Sequence, residues 1–245
     1  MSSGWEQSYK AGYVDGNGKY AGGSEIMHIE PHKGRLFAAN GYWEDSRWKG
    51  VDYADRQSAQ VLRLDSSDGR WEVDLEMGDS NGEGRRYMKG NILKSVTFAR
   101  DEFGVELPEP VNLLVMSAGA YYGEESESGV VSAWVRDDEK ETWSHEFVKS
   151  GPAVDGVRWI PRDIEIYRDK VTGVERIFLL IGNPGIISGV YDASQPSKIR
   201  WDENVEFPSR GAFGARPLGM VTANGSLLFS AEGAIYLRID GQKPA

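Results

Sequence analysis

The chain of 245 residues carries 38 acidic against 28 basic residues, which gives a formal net charge of −10 at pH 7. This balance argues against nucleic acid and anionic membranes as partners, because both are themselves negatively charged. The absence of cysteine excludes disulfides, thiolate catalysis and cysteine-based metal sites. The 30 glycines and 10 prolines are typical of a fold with many turns.

The N-terminal region shows no targeting signal. Residues 1–4 lack the charged and hydrophobic regions of a signal peptide, and no stretch of the chain is apolar for long enough to span a membrane. Residues 2–4 could also be a cloning remnant, so the compartment stays open, with a secreted or periplasmic origin among the alternatives. Residues 10–23 are rich in glycine, with turn dipeptides at 15–16 and 17–18. They predict a connector that leads into the first structured unit.

The next segment reads as four short strands joined by turns. Apolar, strand-like runs alternate there with turn residues, and an insertion at residues 40–58 separates the second strand from the third. The predicted strands are residues 26–29, 35–39, 59–64 and 71–75. Four consecutive strands joined by turns predict one up-and-down antiparallel sheet.

The same four-strand unit recurs three more times along the chain. The first strand recurs at residues 96–98, 164–166 and 218–220, the second at 112–116, 176–180 and 226–229, and the third at 131–135, 187–191 and 234–238. The fourth strand begins with tryptophan each time, at Trp71, Trp143 and Trp201. The fourth unit has no such strand after its third. Because these tryptophans recur at one position, we predict that they pack between neighbouring sheets.

The stretch that begins at Trp5 resembles the tryptophan-led fourth strands. We therefore expect residues 5–9 to pair with residues 234–238, which would close a ring and remove an exposed edge. The whole chain then resembles a β-propeller, although its repeat matches no specific characterised family. The prediction is a single all-β domain over residues 1–245, with four blades of four antiparallel strands. The blades are placed at about residues 24–78, 91–150, 159–207, and 215–240 together with 5–13. The alternative is a fragment of a larger propeller.

The longest loops are predicted to share one face of this ring. In an up-and-down sheet, the links between units and the connections from second to third strand end on the same side. The loops 40–58, 78–90 and 118–129 belong to these classes and are long, aromatic and acidic. Long loops on a rigid scaffold often carry function. We therefore predict that this face binds a ligand.

Charged residues at the start of the first strands are expected at the mouth of the central channel on that face. Glu25, Lys94, Arg162, Asp163 and Arg216 occupy similar places in their units. Such a mixed ring could bind a polar ligand. The alternative is that these charges pair with one another at a solvated surface.

Histidine chemistry and cofactors receive little support from the sequence. His28 lies at an inward position of the first strand, where a packed core or channel histidine is a more frequent outcome than a catalyst. His32 and His145 lie elsewhere, and the three histidines do not have the spacing of metal ligands. No cofactor and no metal site are predicted.

Three functional hypotheses remain open, and whether the protein is an enzyme is left undecided. The first is a binding module for a carbohydrate or another small polar ligand on the long-loop face. The second is a glycan-degrading hydrolase or lyase, which would use Glu44, Asp45 or His28 with Tyr42 or Tyr122. The third is a protein-interaction platform, which a flat apolar patch would favour. The predicted ligand-binding residues are Glu25, Tyr42, Trp43, Glu44, Asp45, Trp48, Tyr121, Tyr122, Arg162, Asp163 and Arg216.

Overall fold

The computed structural model describes residues 4–42, 52, 57–78, 87–120, 128–152, 159–182, 184–209 and 217–242. These residues form β1 (Tyr13–Val14), β2 (Tyr20–Ala21), β3 (Glu25–His32), β4 (Arg35–Gly41), β5 (Gln60–Leu64), β6 (Glu72–Glu76), β7 (Ile92–Arg100), β8 (Glu106–Ala120), β9 (Ser128–Asp137), β10 (Thr142–Pro152), β11 (Pro161–Arg168), β12 (Glu175–Ile181), β13 (Gly185–Tyr191), β14 (Ile199–Pro208), β15 (Met220–Ala223), β16 (Ser226–Ala231) and β17 (Ala234–Leu237). In these ranges no helix is long and apolar enough to cross a membrane.

Four antiparallel up-and-down sheets follow one another along the chain. The first sheet is β3-β4-β5-β6, the second β7-β8-β9-β10, the third β11-β12-β13-β14 and the fourth β15-β16-β17. The first strands of consecutive sheets lie side by side, in the order β3, β7, β11, β15. This is the blade arrangement of a β-propeller, so the predicted fold class is confirmed.

Each inner sheet is covered on both faces by its neighbours. On β8, Leu113 and Val115 face the third sheet, whereas Leu114 and Met116 face the first. Successive side chains of a strand point to opposite faces, so a strand covered on both sides is apolar at consecutive positions. This explains the unbroken apolar runs that mark the second strands in the sequence.

Tight hairpins join several of the strands. Lys33-Gly34 and Asn224-Gly225 have positive φ at both positions, and so does Glu232-Gly233. Two consecutive positive φ values define the type I′ turn, whose twist matches that of paired strands. Two of these turns therefore fix the register of β15, β16 and β17.

A row of glycines makes room for one tryptophan between the second and third sheets. Trp159, just before β11, is buried although its indole N–H has no partner among the described residues. A Cβ at Gly129 would lie 2.1 Å from Trp159 Cδ1, and a Cβ at Gly151 would lie 2.9 Å from Cη2. These two glycines are paired across β9 and β10. The ring therefore lies directly on the bare backbone of the second sheet.

The N-terminal arm covers the outer face of the first sheet instead of joining the fourth. Tyr9 and Tyr13 pack against Trp71, and the hydroxyl of Tyr13 donates a hydrogen bond to its carbonyl. The Trp71 indole Nε1 donates to Ser8 Oγ over 2.9 Å. The predicted connector itself forms the β1-β2 hairpin, and Asp15 at its turn accepts a 2.9 Å hydrogen bond from the Val73 amide.

The prediction that residues 5–9 close the last sheet is therefore wrong. The fourth sheet has three strands among the described residues, and β17 pairs with β16 alone. Trp5 is 90% exposed and lies outside any strand. The physical reason is that Ser8 and Tyr9 are held on the first sheet by the contacts of Trp71. Of the other three repeated tryptophans, Trp143 and Trp201 pack at interfaces between neighbouring sheets, whereas Trp71 packs against the N-terminal arm on the outer face of the first sheet.

Candidate functional site

The structure describes four of the predicted ligand-binding residues. They are Glu25, Tyr42, Arg162 and Asp163. The remaining predicted positions are Trp43, Glu44, Asp45, Trp48, Tyr121, Tyr122 and Arg216, which lie outside the described residues. The predicted stacking surface of the long-loop face stays a prediction.

Tyr42 is a packing residue rather than an exposed contact. Its side chain is buried beside Met88. Its hydroxyl donates a 3.0 Å hydrogen bond to Gln57 Oε1, and it lies so close to Gly22 that a Cβ there would be 2.2 Å away. A ring enclosed in this way cannot stack on a ligand in this conformation, so its predicted role does not fit its burial.

The carboxylates of the first strands hold neighbouring sheets together. Asp163 Oδ2 accepts a 2.8 Å hydrogen bond from the Met220 amide of the fourth sheet. Glu30 Oε1 accepts a 2.9 Å bond from the Ser95 amide of the second. A carboxylate bound to a backbone N–H of the next sheet is already satisfied. Asp163 therefore has a structural role at the channel, beside any contact with a ligand.

Lys94 forms an ion pair, although its partner is Glu165 rather than another of the charges predicted at the channel mouth. Its Nζ lies 2.9 Å from Glu165 Oε2 on β11. Glu165 Oε1 also accepts a 3.3 Å bond from the Thr222 amide on β15. One carboxylate thus joins three sheets around the channel. Lys94 is itself about one-third exposed, which leaves part of its side chain in contact with solvent.

Arg162 and His28 lie beside irregularities in the first strands. The pairing of β11 with β12 shifts between Pro161 and Asp163, and that of β3 with β4 shifts between Ile26 and His28. Such bulges redirect side chains and are frequent next to functional sites. Burial lowers the pKa of His28, against the opposing effects of the Asn91 backbone and of Asp163. The imidazole is therefore neutral at pH 7 and can both donate and accept a hydrogen bond.

A buried ion cluster lies on the opposite face, between the first two sheets. Arg136 Nε donates to Asp74 Oδ2 over 2.8 Å, and both side chains are almost fully buried. Arg63 Nη1 reaches Asp74 Oδ1 at 2.7 Å, and the Trp143 indole Nε1 reaches Oδ2 at 2.7 Å. Asp74 is thus the shared acceptor for two arginines and a tryptophan.

Asp138 extends this cluster to the surface. Burial by itself would raise the pKa of its carboxyl, but hydrogen bonds from Lys33, His32 and Arg136 outweigh that effect and lower the pKa to about 2. The other ring nitrogen of His32 lies 2.8 Å from Ser95 Oγ. His32 is therefore a buried structural residue, and the cluster stabilises the contact of the two sheets.

A second cluster occupies the matching place between the third and fourth sheets. Arg238 Nε donates to Glu206 Oε1 over 2.6 Å, and Nη1 donates to Asp169 Oδ2 over 2.7 Å. Burial opposes the ionisation of Asp169, but the hydrogen bonds from Arg238 and from backbone amides prevail and lower its pKa. Tyr167 donates to Asp240 over 2.8 Å at the edge of this cluster.

A groove opens beside Arg238, between β14 and β17. Its volume is about 280 Å³. Aromatic rings dominate its wall, since Phe207 contacts Phe229 and Tyr236 at centroid distances of 4.7 and 5.2 Å. The carboxylate of Glu206 lies in the same wall. The groove is thus apolar with a single buried acceptor.

The outer face of the fourth sheet is apolar and exposed. The β15-β16-β17 register places Val221, Leu228 and Leu237 side by side on this face, with Ile235 next to them. Ile235 is 76% exposed. In the other three sheets the corresponding face packs on the next sheet along the chain. The fourth sheet therefore presents the largest group of exposed apolar side chains that belongs to one described sheet.

Metal binding finds no support in the described ranges, where no group of three or more His, Asp and Glu side chains is placed to hold an ion. The sequence matches no family model and no curated protein.

Three solved structures show a distant similarity in fold. A hypothetical selenium-binding protein from Sulfolobus tokodaii aligns at 13% identity and a TM-score of 0.41, over 82% of this chain and 45% of that one. The Nup133 β-propeller domain of Vanderwaltozyma polyspora aligns at 11% identity and a TM-score of 0.44, over 95% and 61%. Trypanosoma rangeli sialidase aligns at 13% identity and a TM-score of 0.36, over 94% and 37%. The chain thus spans about half the length of the first two structures.

The class of protein follows from the sheets themselves. Four consecutive up-and-down sheets, joined face to face with their first strands side by side, define a β-propeller domain.

Proposed function

We propose that this domain is a protein-binding module that receives an extended polypeptide segment at the fourth sheet. The observation that carries the proposal is that, among the described residues, β17 pairs with β16 alone, at the position where the other three sheets have a fourth strand. An unpaired edge offers a row of backbone donors and acceptors to another chain. The segment would complete the sheet as its fourth strand.

The hydrogen-bond pattern of β17 supports this proposal. The Arg238 amide donates to the Leu227 carbonyl over 2.9 Å, so Arg238 faces β16. In an antiparallel pair, alternate residues face the partner strand. The backbone groups of Ile235 and Leu237 therefore point to the open side. No other described residue pairs with the amides and carbonyls of Ile235 and Leu237, so an added strand can use them.

The exposed side chains of the fourth sheet support the same proposal. Ile235 and Leu237 would both be covered in part by residues on an added strand, and Val221 and Leu228 extend the apolar surface behind them. Contiguous apolar surface on a folded domain is typical of a protein-interaction site. It gives the added segment a hydrophobic contribution beside its backbone hydrogen bonds.

A synthetic peptide tests the proposal. The peptide copies residues 142–150, because β10 is the fourth strand of the second sheet. We expect it to bind the domain in a fluorescence-anisotropy titration, and Ile235→Pro to weaken binding at least tenfold. Proline at 235 removes an N–H that points away from β16, so the β16-β17 pairing survives.

The matched control is Ile235→Thr, which keeps the N–H and the β-branched shape and should bind within a few-fold of the parent. Equal binding to the proline variant, or to a scrambled peptide, would contradict strand addition.

A polar ligand at the channel mouth, a carbohydrate in particular, is the second candidate. The favouring observation is the neutral His28 near Asp163, with a partly exposed Lys94 on the adjacent strand. The described carboxylates of the channel accept backbone hydrogen bonds, which favours binding over hydrolysis by a carboxylate pair. A glycan array should then give a signal that His28→Ala removes while the melting temperature changes little. An array without signal counts against this candidate.

A further inference from the structure

The groove beside β17 has a counterpart in the second sheet. There, Trp143 at the start of β10 is paired with Arg136 of β9. Its indole Nε1 donates to Asp74 Oδ2 over 2.7 Å, and Asp74 belongs to β6, the last strand of the preceding sheet. The carboxylate therefore receives both the arginine and the tryptophan.

The fourth sheet repeats the arginine and the carboxylate of this arrangement, but not the tryptophan. Arg238 Nε donates to Glu206 Oε1, and Glu206 belongs to β14, the last strand of the preceding sheet. Arg238 Nη1 also donates to Asp240, two residues further on, as Arg136 Nη1 does to Asp138. Arginine and carboxylate thus occupy matching places, whereas the groove lies where the indole would be.

The groove has the size and chemistry for an indole. Its volume of about 280 Å³ exceeds the roughly 150 Å³ of an apolar cavity that holds benzene. Phe207 and Tyr236 provide aromatic walls, and Glu206 provides an acceptor for the N–H. A buried tryptophan combines a large apolar area with one donor that needs a partner. The site therefore selects a tryptophan-led segment.

We propose that Trp5 of a second copy of this chain fills the groove, with Trp5–Gln7 adding to β17. Trp5 leads a stretch that resembles the fourth strands, and it is 90% exposed. Ser8 is bound to the Trp71 indole of its own first sheet, and residues 4–7, which precede this anchor, are exposed. In this register Trp5 lies opposite Arg238, and Glu6 lies opposite Leu237. This inference rests on the proposed function, because it names the segment that completes the sheet.

Disulfide trapping tests the register directly, because the chain has no cysteine of its own. Glu6→Cys and Leu237→Cys are prepared as separate full-length proteins and mixed under mild oxidation. Opposite residues of a hydrogen-bonded antiparallel pair have Cα atoms about 5.5 Å apart, within the range of a disulfide. We expect a heterodimer on a non-reducing gel, in at least tenfold excess over the control mixture of Glu6→Cys with Phe103→Cys. Phe103 is 78% exposed and lies in the turn between β7 and β8 of the second sheet.

The tryptophan is tested in the same assay. Trp5→Ala in the Glu6→Cys protein should reduce the heterodimer at least tenfold, whereas Trp5→Phe should retain part of it. A Glu6→Cys/Leu237→Cys double variant that forms the disulfide within a single monomeric chain would contradict the proposal. It would show that the arm of the same chain, and not that of a second copy, pairs with β17.

The peptide experiment separates the failure of this inference from that of the proposed function. If the 142–150 peptide binds at β17 but the two copies do not cross-link, the second copy is rejected and strand addition stands. If the peptide does not bind and the two copies do not cross-link, strand addition and the second copy are both rejected.

Discussion

Asp74→Ala is expected to lower the free energy of unfolding by about 3–5 kcal/mol. The substitution leaves the buried guanidinium of Arg136 without its most buried acceptor, and it also removes one carboxylate partner of Arg63 and the acceptor of the Trp143 indole. Breaking a buried pair on one side is costly because the remaining charge stays buried and uncompensated. Urea unfolding at pH 7, followed by tryptophan fluorescence, measures the change.

Asp65→Ala is the matched control for this prediction. Asp65 also pairs with Arg63, but its side chain is 51% exposed, so the loss should stay below about 1 kcal/mol. Replacing both buried partners, as Asp74→Leu with Arg136→Met, should recover much of the lost stability. Similar losses for Asp74→Ala and Asp65→Ala would mean that the cluster is solvated.

Gly129→Val should destabilise the domain by about 3 kcal/mol or more, the upper end of the range for overpacking. A Cβ at this position would lie 2.1 Å from Cδ1 and 2.2 Å from Cγ of the Trp159 ring. The glycine lies within β9 and the ring is buried, so relief requires the second and third sheets to move apart. Thermal unfolding followed by circular dichroism provides the measurement.

Gly78→Ala serves as the control, since a Cβ at Gly78 would meet no atom within 4 Å, and we expect a change within about 0.5 kcal/mol. Trp159→Ala should cost much less in the Gly129→Val background than in the parent, because the two residues are in contact. If the two losses of stability are additive, the contact with the Trp159 ring is not the cause of the destabilisation by Gly129→Val.

The strands of this fold are predictable because their signals are local. Apolar runs bounded by Asn-Gly or Lys-Gly turns identify β15, β16 and the hairpin of β3 with β4. The recurring tryptophan identifies the fourth strand of the first three units, and at Trp143 and Trp201 it also marks an interface between sheets. The place of Trp5 was not predictable in this way, because its local sequence is that of a fourth strand while Tyr9 and Tyr13 decide which sheet holds it. The β1-β2 hairpin was signalled by its turn dipeptides, flanked by Tyr13-Val14 and Tyr20-Ala21.

The ion clusters depend on contacts that no single stretch of sequence contains. Asp74 and Arg136 are 62 positions apart, and Arg238 and Asp169 are 69 apart. A signal did exist, since an arginine two residues before an aspartate closes the third strand at Arg63, Arg136 and Arg238. That spacing fixes one pair within each of these three units. The carboxylate of the preceding sheet, however, is specified only by how the sheets pack. The predicted loop residues around Trp43 and Tyr122 remain untested, since they lie outside the described residues.

The serial packing of the sheets has a consequence for cooperativity. Because extensive contacts join each sheet to its sequence neighbours, local opening should be easiest at an end of the series, as in repeat proteins. Among the described residues, the fourth sheet is the last of the series, with exposed apolar side chains on one face and with β17 paired on one side only. A segment that binds there would act as a terminal cap, lowering the population of frayed states in β15 to β17 by mass action. The free energy of partner binding would then also slow amide hydrogen exchange in this sheet, because the bound segment stabilises its closed state.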